Sequence, residues 1–339
     1  MMTRHDEMMA FLNANLAKGF KVESLAGDAS FRRYHRIYLP DLDANGSPIT
    51  YLLMDAPPEK ESVVEFVKVA EIMTAAVNVP DIIARDIERG FLLLQDFGTV
   101  EFAHLIRDEA GDVDAYYTQA LQTLVSLQSL STEVELPPYD DAKLSDEMAL
   151  FTEWFLPYVG AELGDEAKGI WQNFKTYLLD EIATQPKVVV HRDYHSRNLM
   201  ADKGSDALGV IDFQDALIGA YTYDLVSLVR DAYISFDEHW VNAKIGEFHL
   251  LKGLNISLDE FTKQVNIMGV QRHLKVLGIF IRLSQRDDKD RYLADIPKVM
   301  RDLTNELAWL ESHGETAVAE FYGWLKSVVM PAYHAKFSE

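Results

Sequence analysis

The hydrophobic and polar positions along the chain divide it into a strand-rich first part and a helical remainder. Residues 5–18 place apolar side chains at helical spacing, which predicts a leading helix. Residues 59–76 show the same spacing after a Pro-Pro pair and predict a second helix. Short apolar runs bounded by turn residues predict strands over 21–26, 31–39, 50–55 and 91–94.

From Gly98 onward, helical spacing dominates the sequence. Helices are predicted over 115–130, 144–159, 166–182, 223–235, 265–283, 296–310 and 317–335. A buried strand end at 188–190 and two short strands at 199–200 and 208–211 interrupt them, and we expect all three in one small sheet. Because 339 residues are too many for one typical core, we expect two lobes, residues 1–97 and 98–339.

The composition is that of a globular protein, with 48% hydrophobic and 25% charged residues. It contains no apolar run of about 18 residues, so no membrane partner is expected. The first residues lack the apolar core of a signal peptide, which predicts a cytoplasmic protein. The sequence has no cysteine, which excludes disulfides and thiolate metal sites.

The formal net charge of -22 argues against nucleic acid as a partner, because a polyanion needs a basic surface to bind. Any small anionic ligand would also have to bind at a locally positive site. Mg²⁺ and a few arginines can outweigh a distant acidic surface, since exposed charges are screened beyond roughly 8–10 Å at physiological salt.

One charged loop carries the strongest sign of chemistry. Asp193 lies inside this loop, Asn198 ends it, and Asp212 ends the strand that follows. Mg²⁺ prefers oxygen ligands and keeps several waters and phosphate oxygens, so Asn198 and Asp212 can supply one oxygen each. Asp193 can then accept the proton of an attacking hydroxyl. The spacing, starting at His191, is that of the catalytic loop and metal-binding Asp of the kinase fold.

Two other interpretations of this loop stay open. It could be a charged surface loop beside a hairpin. Alternatively, His191, Asp193 and His195 alternate in the way that a zinc or iron site requires. The metal alternative leaves Asn198 and Asp212 without a role.

The chain resembles the aminoglycoside phosphotransferase family of small-molecule kinases. The resemblance is carried by HRDYHSRN at 191–198 and IDFQDA at 211–216, supported by GDASFRRY at 27–34, MDAPP at 54–58, LLQDFG at 93–98 and QRHLKVLG at 271–278. It implies an α+β, two-lobed, protein-kinase-like fold with a small antiparallel-sheet N-terminal lobe for nucleotide binding and a mostly helical C-terminal lobe. It also implies ATP and Mg²⁺ as cofactors. Within the family, the branch acting on the anomeric hydroxyl of N-acetylmuramate and N-acetylglucosamine in cell-wall recycling is the most similar.

The predicted nucleotide site combines a tight loop with the segment that links the lobes. Ser30 and Arg32 would cover the phosphates, and the segment Gln95, Asp96 and Phe97 would face adenine. The third strand of a kinase usually carries a lysine that pairs the phosphates, and residues 50–55 contain none. We favour Arg32 as its replacement, with Arg33, Lys60 and Lys68 as alternatives. Glu65 or Glu71 would hold this cation in place.

The acceptor site is expected in the second lobe. Its candidate residues are Asp215, Tyr223, Arg230, Asp231 and Arg272, with His273 and Lys275 on the same helix. A sugar carboxylate would need an arginine, for which Arg230, Arg272 and Arg282 are candidates. The resemblance implies that Asp224 supports the catalytic loop. We expect a monomer.

A protein kinase is disfavoured, because helices follow Asp212 and the sequence has no Ala-Pro-Glu segment or long activation loop. Three other functions remain possible from the sequence. A nucleotide-binding pseudokinase would fit the missing lysine, although Asp193, Asn198 and Asp212 are all present. A kinase of another small alcohol, such as an aminoglycoside, choline or homoserine, would share the same catalytic residues. A metal-dependent hydrolase would require tightly bound zinc or iron.

Overall fold

The structure, a computed structural model, describes residues 2–25, 31–43, 46–107 and 111–337. The chain folds into two compact units. The first contains Met1–Gly111 and Arg197–Asp215, and the second contains Asp112–Ser196 and Ala216–Glu339. The predicted hairpin strands at 199–211 therefore group with the N-terminal residues. The lobe boundary between residues 97 and 98 stays a prediction.

The secondary structure follows the predicted order of an early sheet and a mostly helical remainder. The helices and strands are, in chain order, α1 (Arg4–Asn15), β1 (Lys21–Ser24), β2 (Arg33–Leu42), β3 (Pro48–Asp55), α2 (Val64–Met73), β4 (Ile82–Asp86), β5 (Phe91–Gln95), α3 (Phe102–Arg107), α4 (Val113–Leu127), α5 (Asp141–Leu150), α6 (Leu156–Val159), α7 (Asp165–Thr184), β6 (Lys187–Val190), β7 (Leu199–Ala201), β8 (Leu208–Val210), β9 (Leu217–Ala220), α8 (Tyr223–Val229), α9 (Glu238–Lys252), α10 (Leu258–Asp287), α11 (Ile296–Ser312), α12 (Thr316–Trp324) and α13 (Met330–Phe337). Two π-helical turns, Phe151–Phe155 and Leu325–Val329, and a 3-10 turn, Asp290–Asp295, join neighbouring helices.

An antiparallel sheet of five strands, in the order β1-β2-β3-β5-β4, forms the centre of the first unit. Helix α1 begins with a capping box in which Thr3 and Asp6 each bind the other's backbone N–H. Its apolar face then packs on the sheet because residues three or four apart lie on one side of a helix. The resulting core contains Met8, Phe11, Leu12, Ile37, Leu53, Phe91 and Leu93.

The hairpin of β7 and β8 is bound to this unit through backbone and aromatic contacts. The Val210 N–H donates to the Asn78 carbonyl over 2.8 Å. The Phe213 ring, just after β8, lies 4.7 Å from the ring of Phe66 in α2. These contacts fix the end of the hairpin that carries Asp212.

Helix α10 is the long central element of the second unit. It has 30 residues, is buried along most of its length, and packs against α5 and α11. Strand β6 pairs antiparallel with β9, with Val189 opposite Ile218. Within the described residues, no helix is both long and apolar enough to cross a bilayer.

The structure corrects some predicted elements. Strand β6 does not share a sheet with β7 and β8; it pairs with β9, and β7 pairs with β8. Residues 59–63 are not helical, because the Lys60 and Glu61 N–H groups bond to the Pro57 carbonyl in a turn before α2 begins. The sequence patterns did not predict β4, β9 or α9.

Gly209 in β8 gives a test of hairpin packing. A Cβ atom there would lie 2.5 Å from Phe97 Cδ2, too close for any normal contact. Gly209→Ala should therefore lower the free energy of unfolding by about 1–3 kcal/mol, the usual cost of overpacking, in urea titrations followed by circular dichroism. Gly169→Ala in α7 is the matched control, since nothing lies within 4 Å of its new methyl group. Equal stability of both variants would contradict this packing.

Candidate active site

The loop after β6 is held by a buried carboxylate from α8. Asp224 is fully buried, and its two oxygens accept the N–H groups of His191 over 2.7 Å and Arg192 over 3.0 Å. Arg192 has a φ of 77°, a left-handed conformation that is unfavourable for a residue with a side chain. Asp224 therefore compensates for a strained turn immediately before Asp193, consistent with the supporting role that the resemblance implies.

A second buried carboxylate holds the other side of this loop. Asp231 Oδ2 accepts the Ser196 N–H over 2.9 Å, and its Oδ1 accepts the Tyr233 N–H over 2.8 Å. Both oxygens of Asp231 are thus bonded to the backbone. The loop between β6 and residue 196 is anchored at both ends by carboxylates.

Asp193 lies half-buried in this anchored loop. Its N–H donates to His191 Nδ1 over 3.2 Å, and its carbonyl accepts the His195 N–H over 3.0 Å. Burial alone would raise the pKa of Asp193, but the charges of His195, Lys275 and Arg272 outweigh it and hold the pKa below its usual value. Asp193 is therefore ionised at neutral pH, the state that a proton acceptor needs.

Asn198 and Asp212 meet at the open end of the β7–β8 hairpin, in the first unit. The Ile211 N–H donates to the Asn198 carbonyl over 3.0 Å, which places Asp212 beside Asn198 across the hairpin. Asp212 has a φ of 62° and an exposed side chain. One amide oxygen and one exposed carboxylate fit Mg²⁺, which takes few protein ligands and binds phosphate oxygens as well.

The zinc or iron alternative needs a different arrangement. No cluster of three or more His, Cys, Asp or Glu side chains that could hold a metal occurs in the part of the chain described. His191, Asp193 and His195 therefore do not form the ligand set that this alternative requires.

A buried ion pair lies in the same unit as the hairpin. Arg32 Nη2 is 2.6 Å from Glu61 Oε1, and both side chains are largely buried. The pKa of Tyr34 rises to about 12, mainly through burial; Arg32 opposes the rise, whereas Asp212 and Glu61 add to it. Arg32, Glu61 and Asp212 are therefore all close enough to Tyr34 to affect its pKa. Ser30, the other predicted phosphate ligand, lies outside the described residues.

The predicted adenine segment follows β5. Asp96 is buried and accepts hydrogen bonds from Arg36 Nε over 2.9 Å, Thr50 Oγ1 over 2.5 Å and the Gly98 N–H over 2.9 Å. Burial works against ionisation of Asp96, but these partners lower its pKa. The Asp96 side chain therefore organises the segment.

Its two neighbours also have partners inside the protein. Gln95 Oε1 accepts the Asp81 N–H over 3.3 Å. The Phe97 carbonyl accepts the Lys203 N–H over 3.0 Å. Contact of the segment with adenine stays a prediction.

Six residues of the second unit form a group that we call the cation cluster. Its members are Tyr139, Glu147, Arg192, Tyr223, Arg272 and Lys275. Arg272 Nη1 donates to the Tyr223 hydroxyl over 2.8 Å and to the Arg192 carbonyl over 3.1 Å. Lys275 Nζ is 3.0 Å from the same Tyr223 hydroxyl. Because Lys275 and Arg272 lower the pKa of Asp193, the cluster lies within electrostatic range of the proposed base.

The other predicted acceptor residues have different surroundings. Arg230 is buried and makes a bidentate ion pair with Glu238, at 2.6 and 2.9 Å, while its Nε is 3.1 Å from Glu306 Oε1. Nδ1 of His273 is 2.8 Å from Glu306 Oε2, and burial lowers the pKa of His273 to about 3. We leave Arg230, Asp231 and His273 out of the proposed acceptor site.

Asp215 and Arg282 are the remaining candidates for the acceptor site. Asp215 is exposed, at the end of the first unit, and accepts a 3.4 Å bond from Gln214. Arg282 lies seven residues beyond Lys275 on the same face of α10, about 10 Å along the axis.

Sequence reasoning missed several of these residues. Glu61, rather than Glu65 or Glu71, pairs with Arg32; Glu71 forms an exposed pair with Arg85. Glu147 and Tyr139 were also missed. Helical spacing shows which residues share a face, but ion-pair partners distant in sequence leave no signal in a single chain.

The fold and these residues together define a phosphotransferase of the kinase-like class. Residues 21–254 match the model of the phosphotransferase enzyme family, and the chain belongs to that family. The family resemblance is thereby confirmed. The kinase-like fold is confirmed by solved structures: an aminoglycoside 2′-phosphotransferase in complex with GDP has a TM-score of 0.59 at 14% identity, covering 90% of this chain and 98% of the other. A choline kinase from Cryptosporidium parvum has a TM-score of 0.58 at 12% identity, covering 95% and 100%.

Curated relatives are much closer in sequence. An N-acetylmuramate/N-acetylglucosamine kinase of Pseudomonas putida is 42% identical over 283 residues, which is 80% of this chain and 79% of the relative. The Neisseria meningitidis protein of the same name is 42% identical over 294 residues, covering 84% and 85%. At 12–14% identity, the solved structures show the fold alone.

The Arg32–Glu61 pair generates a prediction about nucleotide binding. Arg32→Ala should raise the KM for ATP roughly tenfold or more, because a charged hydrogen bond contributes about 1.5–3 kcal/mol. Glu61→Gln should raise it less, since Arg32 keeps its charge but loses its anchor. Arg85→Ala is the control, because its pair with Glu71 is exposed and should contribute little. An unchanged KM in Arg32→Ala would remove Arg32 from the phosphate site.

Asp224 generates a prediction about pH. Burial raises its pKa to about 6, although its hydrogen bonds to the loop oppose this. Below pH 6 Asp224 gains a proton, so one of the two loop N–H groups loses its acceptor. Because this loosens the loop that carries Asp193, kcat should fall. In Asp224→Asn, kcat should be lower and this acid limb should disappear. Saturating assays from pH 5 to 8 would show both effects. Asp237→Asn changes an exposed N-cap carboxylate of α9 and should keep the fall in kcat at low pH. If Asp224→Asn also kept this fall, a group other than Asp224 would cause it.

Proposed function

We propose that this chain is an ATP-dependent kinase that phosphorylates the anomeric hydroxyl of N-acetylmuramate and N-acetylglucosamine in peptidoglycan recycling. The observation that carries the substrate is the 42% identity, over about four fifths of the chain, to relatives with that name. The structure adds an anchored Asp193 and a hairpin that brings Asn198 and Asp212 together. The protein would act in the cytoplasm, where ATP is available, as a monomer.

The proposed roles follow from the surroundings of each residue. Asp193 accepts the proton of the acceptor hydroxyl as this oxygen attacks the γ-phosphorus, and the O–P bond to ADP breaks. A carboxylate of low pKa suffices, because phosphoryl transfer has a loose transition state in which position matters more than base strength. Asn198 and Asp212 would hold Mg²⁺, which when bound neutralises charge on the phosphates. Arg32, held by Glu61, would contact the phosphates.

The cation cluster is the proposed contact for an acidic acceptor. N-acetylmuramate carries a carboxylate on its lactyl ether, and a guanidinium is well suited to bind such a group. Arg272 and Lys275 both act on the charge of Asp193. An acceptor whose hydroxyl lies at Asp193 would then have its carboxylate within range of cationic side chains.

The alternatives make different predictions in one experiment. A coupled ADP-release assay with Mg²⁺-ATP would compare N-acetylmuramate, N-acetylglucosamine, an aminoglycoside, choline and homoserine. The two amino sugars should be phosphorylated, and the product should lose its reducing end because the anomeric hydroxyl is blocked. If only another alcohol in the panel were phosphorylated, that alcohol would be the acceptor in place of the amino sugars. ATP binding without turnover of any acceptor would favour a pseudokinase.

Two variants link that activity to the proposed residues. Asp193→Ala and Asp212→Ala should each reduce kcat by about three orders of magnitude or more, because one removes the proton acceptor and the other a metal ligand. Asp259→Ala, at an exposed position in the first turn of α10, is a control that should keep full activity. Activity retained in Asp193→Ala would exclude this residue as the base.

A further inference from the structure

We infer that Glu147 is an internal counter-charge that allows one acceptor site to accept both an acidic and a neutral amino sugar. This inference rests on the proposed function, because it concerns the two acceptors named there. N-acetylmuramate carries a negative charge and N-acetylglucosamine carries none. If the site contained only cations suited to the acidic sugar, these cations would have no partner when the neutral sugar binds. An unpaired charge is energetically unfavourable in a buried site.

Glu147 is placed to supply this missing partner. Its Oε1 lies 2.8 Å from Arg192 Nη2 and 3.0 Å from Lys275 Nζ, so one oxygen serves two cations. Its other oxygen accepts the hydroxyl hydrogen bond of Tyr139. Burial opposes the charge on Glu147, but Lys275, Tyr139 and Arg192 outweigh it and lower the pKa. Glu147 is therefore a carboxylate, not a carboxylic acid, at neutral pH.

The other carboxylates that face these cations already have tasks. Asp193 is the proposed base, and it must accept a proton from the acceptor. Both oxygens of Asp224 accept hydrogen bonds from the backbone N–H groups of His191 and Arg192. Within the cation cluster, Glu147 is thus the carboxylate whose role is to balance charge.

The cluster also keeps an attraction for an acidic ligand. Among the members of the cluster itself, three cationic side chains, Arg192, Arg272 and Lys275, accompany one carboxylate, Glu147, while Asp193 acts on Arg272 from the loop after β6. The side chains of Glu147 and Arg192 are 12% and 18% exposed, so this edge of the cluster contacts solvent. A bound sugar carboxylate would share the cations with Glu147 and would be repelled by it. Glu147 therefore favours the neutral sugar relative to the acidic one.

Removing this charge should change the preference between the two sugars. In Glu147→Gln, the ratio of kcat/KM for N-acetylmuramate to that for N-acetylglucosamine should rise at least tenfold, the size expected for one charge pair within roughly 10 Å at an effective dielectric of about 20. Lys275→Gln should lower the ratio by a similar factor. The double variant should return it towards the wild-type value, because the two charges offset each other.

The comparison of two sugars separates this role from a purely structural one. A loss of folded enzyme lowers both kcat/KM values equally and leaves their ratio unchanged. Glu147→Asp keeps the charge and should keep the ratio close to that of the wild type. Glu315→Gln is the matched control: Glu315 pairs with Lys263 at 2.7 Å and bonds to Tyr177, and it shares no partner with Glu147.

The outcomes distinguish this inference from the proposed function. If the wild type phosphorylates both sugars and Glu147→Gln leaves their ratio within twofold, Glu147 is not the counter-charge and the proposed function stands. If Glu147→Gln alone is inactive, the double variant with Lys275→Gln decides: a ratio equal to that of Lys275→Gln alone overturns the inference, and a higher ratio supports it. If the wild type phosphorylates neither sugar, the proposed function fails and this inference fails with it.

Discussion

The position of the proposed base depends on buried carboxylates that hold the backbone around it. A hydrogen bond to a charged group contributes about 1.5–3 kcal/mol, and Asp224 accepts two of them from His191 and Arg192. The left-handed conformation of Arg192 costs about 1–3 kcal/mol. The two bonds are therefore enough to maintain a turn that the sequence would otherwise avoid. Asp231 does the same for the N–H of Ser196, so Asp193 lies in a loop fixed on both sides.

The chain divides the proposed chemistry between its two compact units. Asp193 belongs to the second unit, whereas Asn198 and Asp212 belong to the first. Only four residues separate Asp193 from Asn198 in sequence, and the change of unit occurs between Ser196 and Arg197. The hairpin groups with the first unit because its bonds go there, including those of Val210 and Lys203 to backbone carbonyls. The proposed metal ligands thus share a compact unit with the Arg32–Glu61 pair.

The helices and strands that depend on local sequence pattern were predicted best. Helices such as α1, α7 and α11 have regular apolar spacing and were located within a few residues. Strand β9 was missed because four residues with an internal glycine give little signal, and β6 was given the wrong partner because pairing is a long-range choice. The loop spacing predicted Asp193, Asn198 and Asp212 as the reactive residues, which stays a prediction, whereas Arg230 was chosen for its charge alone. Its burial against Glu238 and Glu306 depends on packing that one sequence does not reveal.

A net charge of -22 is unfavourable for a protein that would bind two anionic ligands, yet acidic residues can help by holding cationic side chains in place. Arg32 is held by Glu61, Arg36 by Asp96, and Lys275 by Glu147. A cation fixed by a carboxylate loses less conformational entropy when a phosphate or a sugar carboxylate arrives. Such a cation also attracts anions less strongly and therefore less indiscriminately, because the carboxylate already neutralises part of its charge. The binding of anions would then depend on geometry rather than on net charge, which suits an enzyme that must bring two ligands together in one orientation.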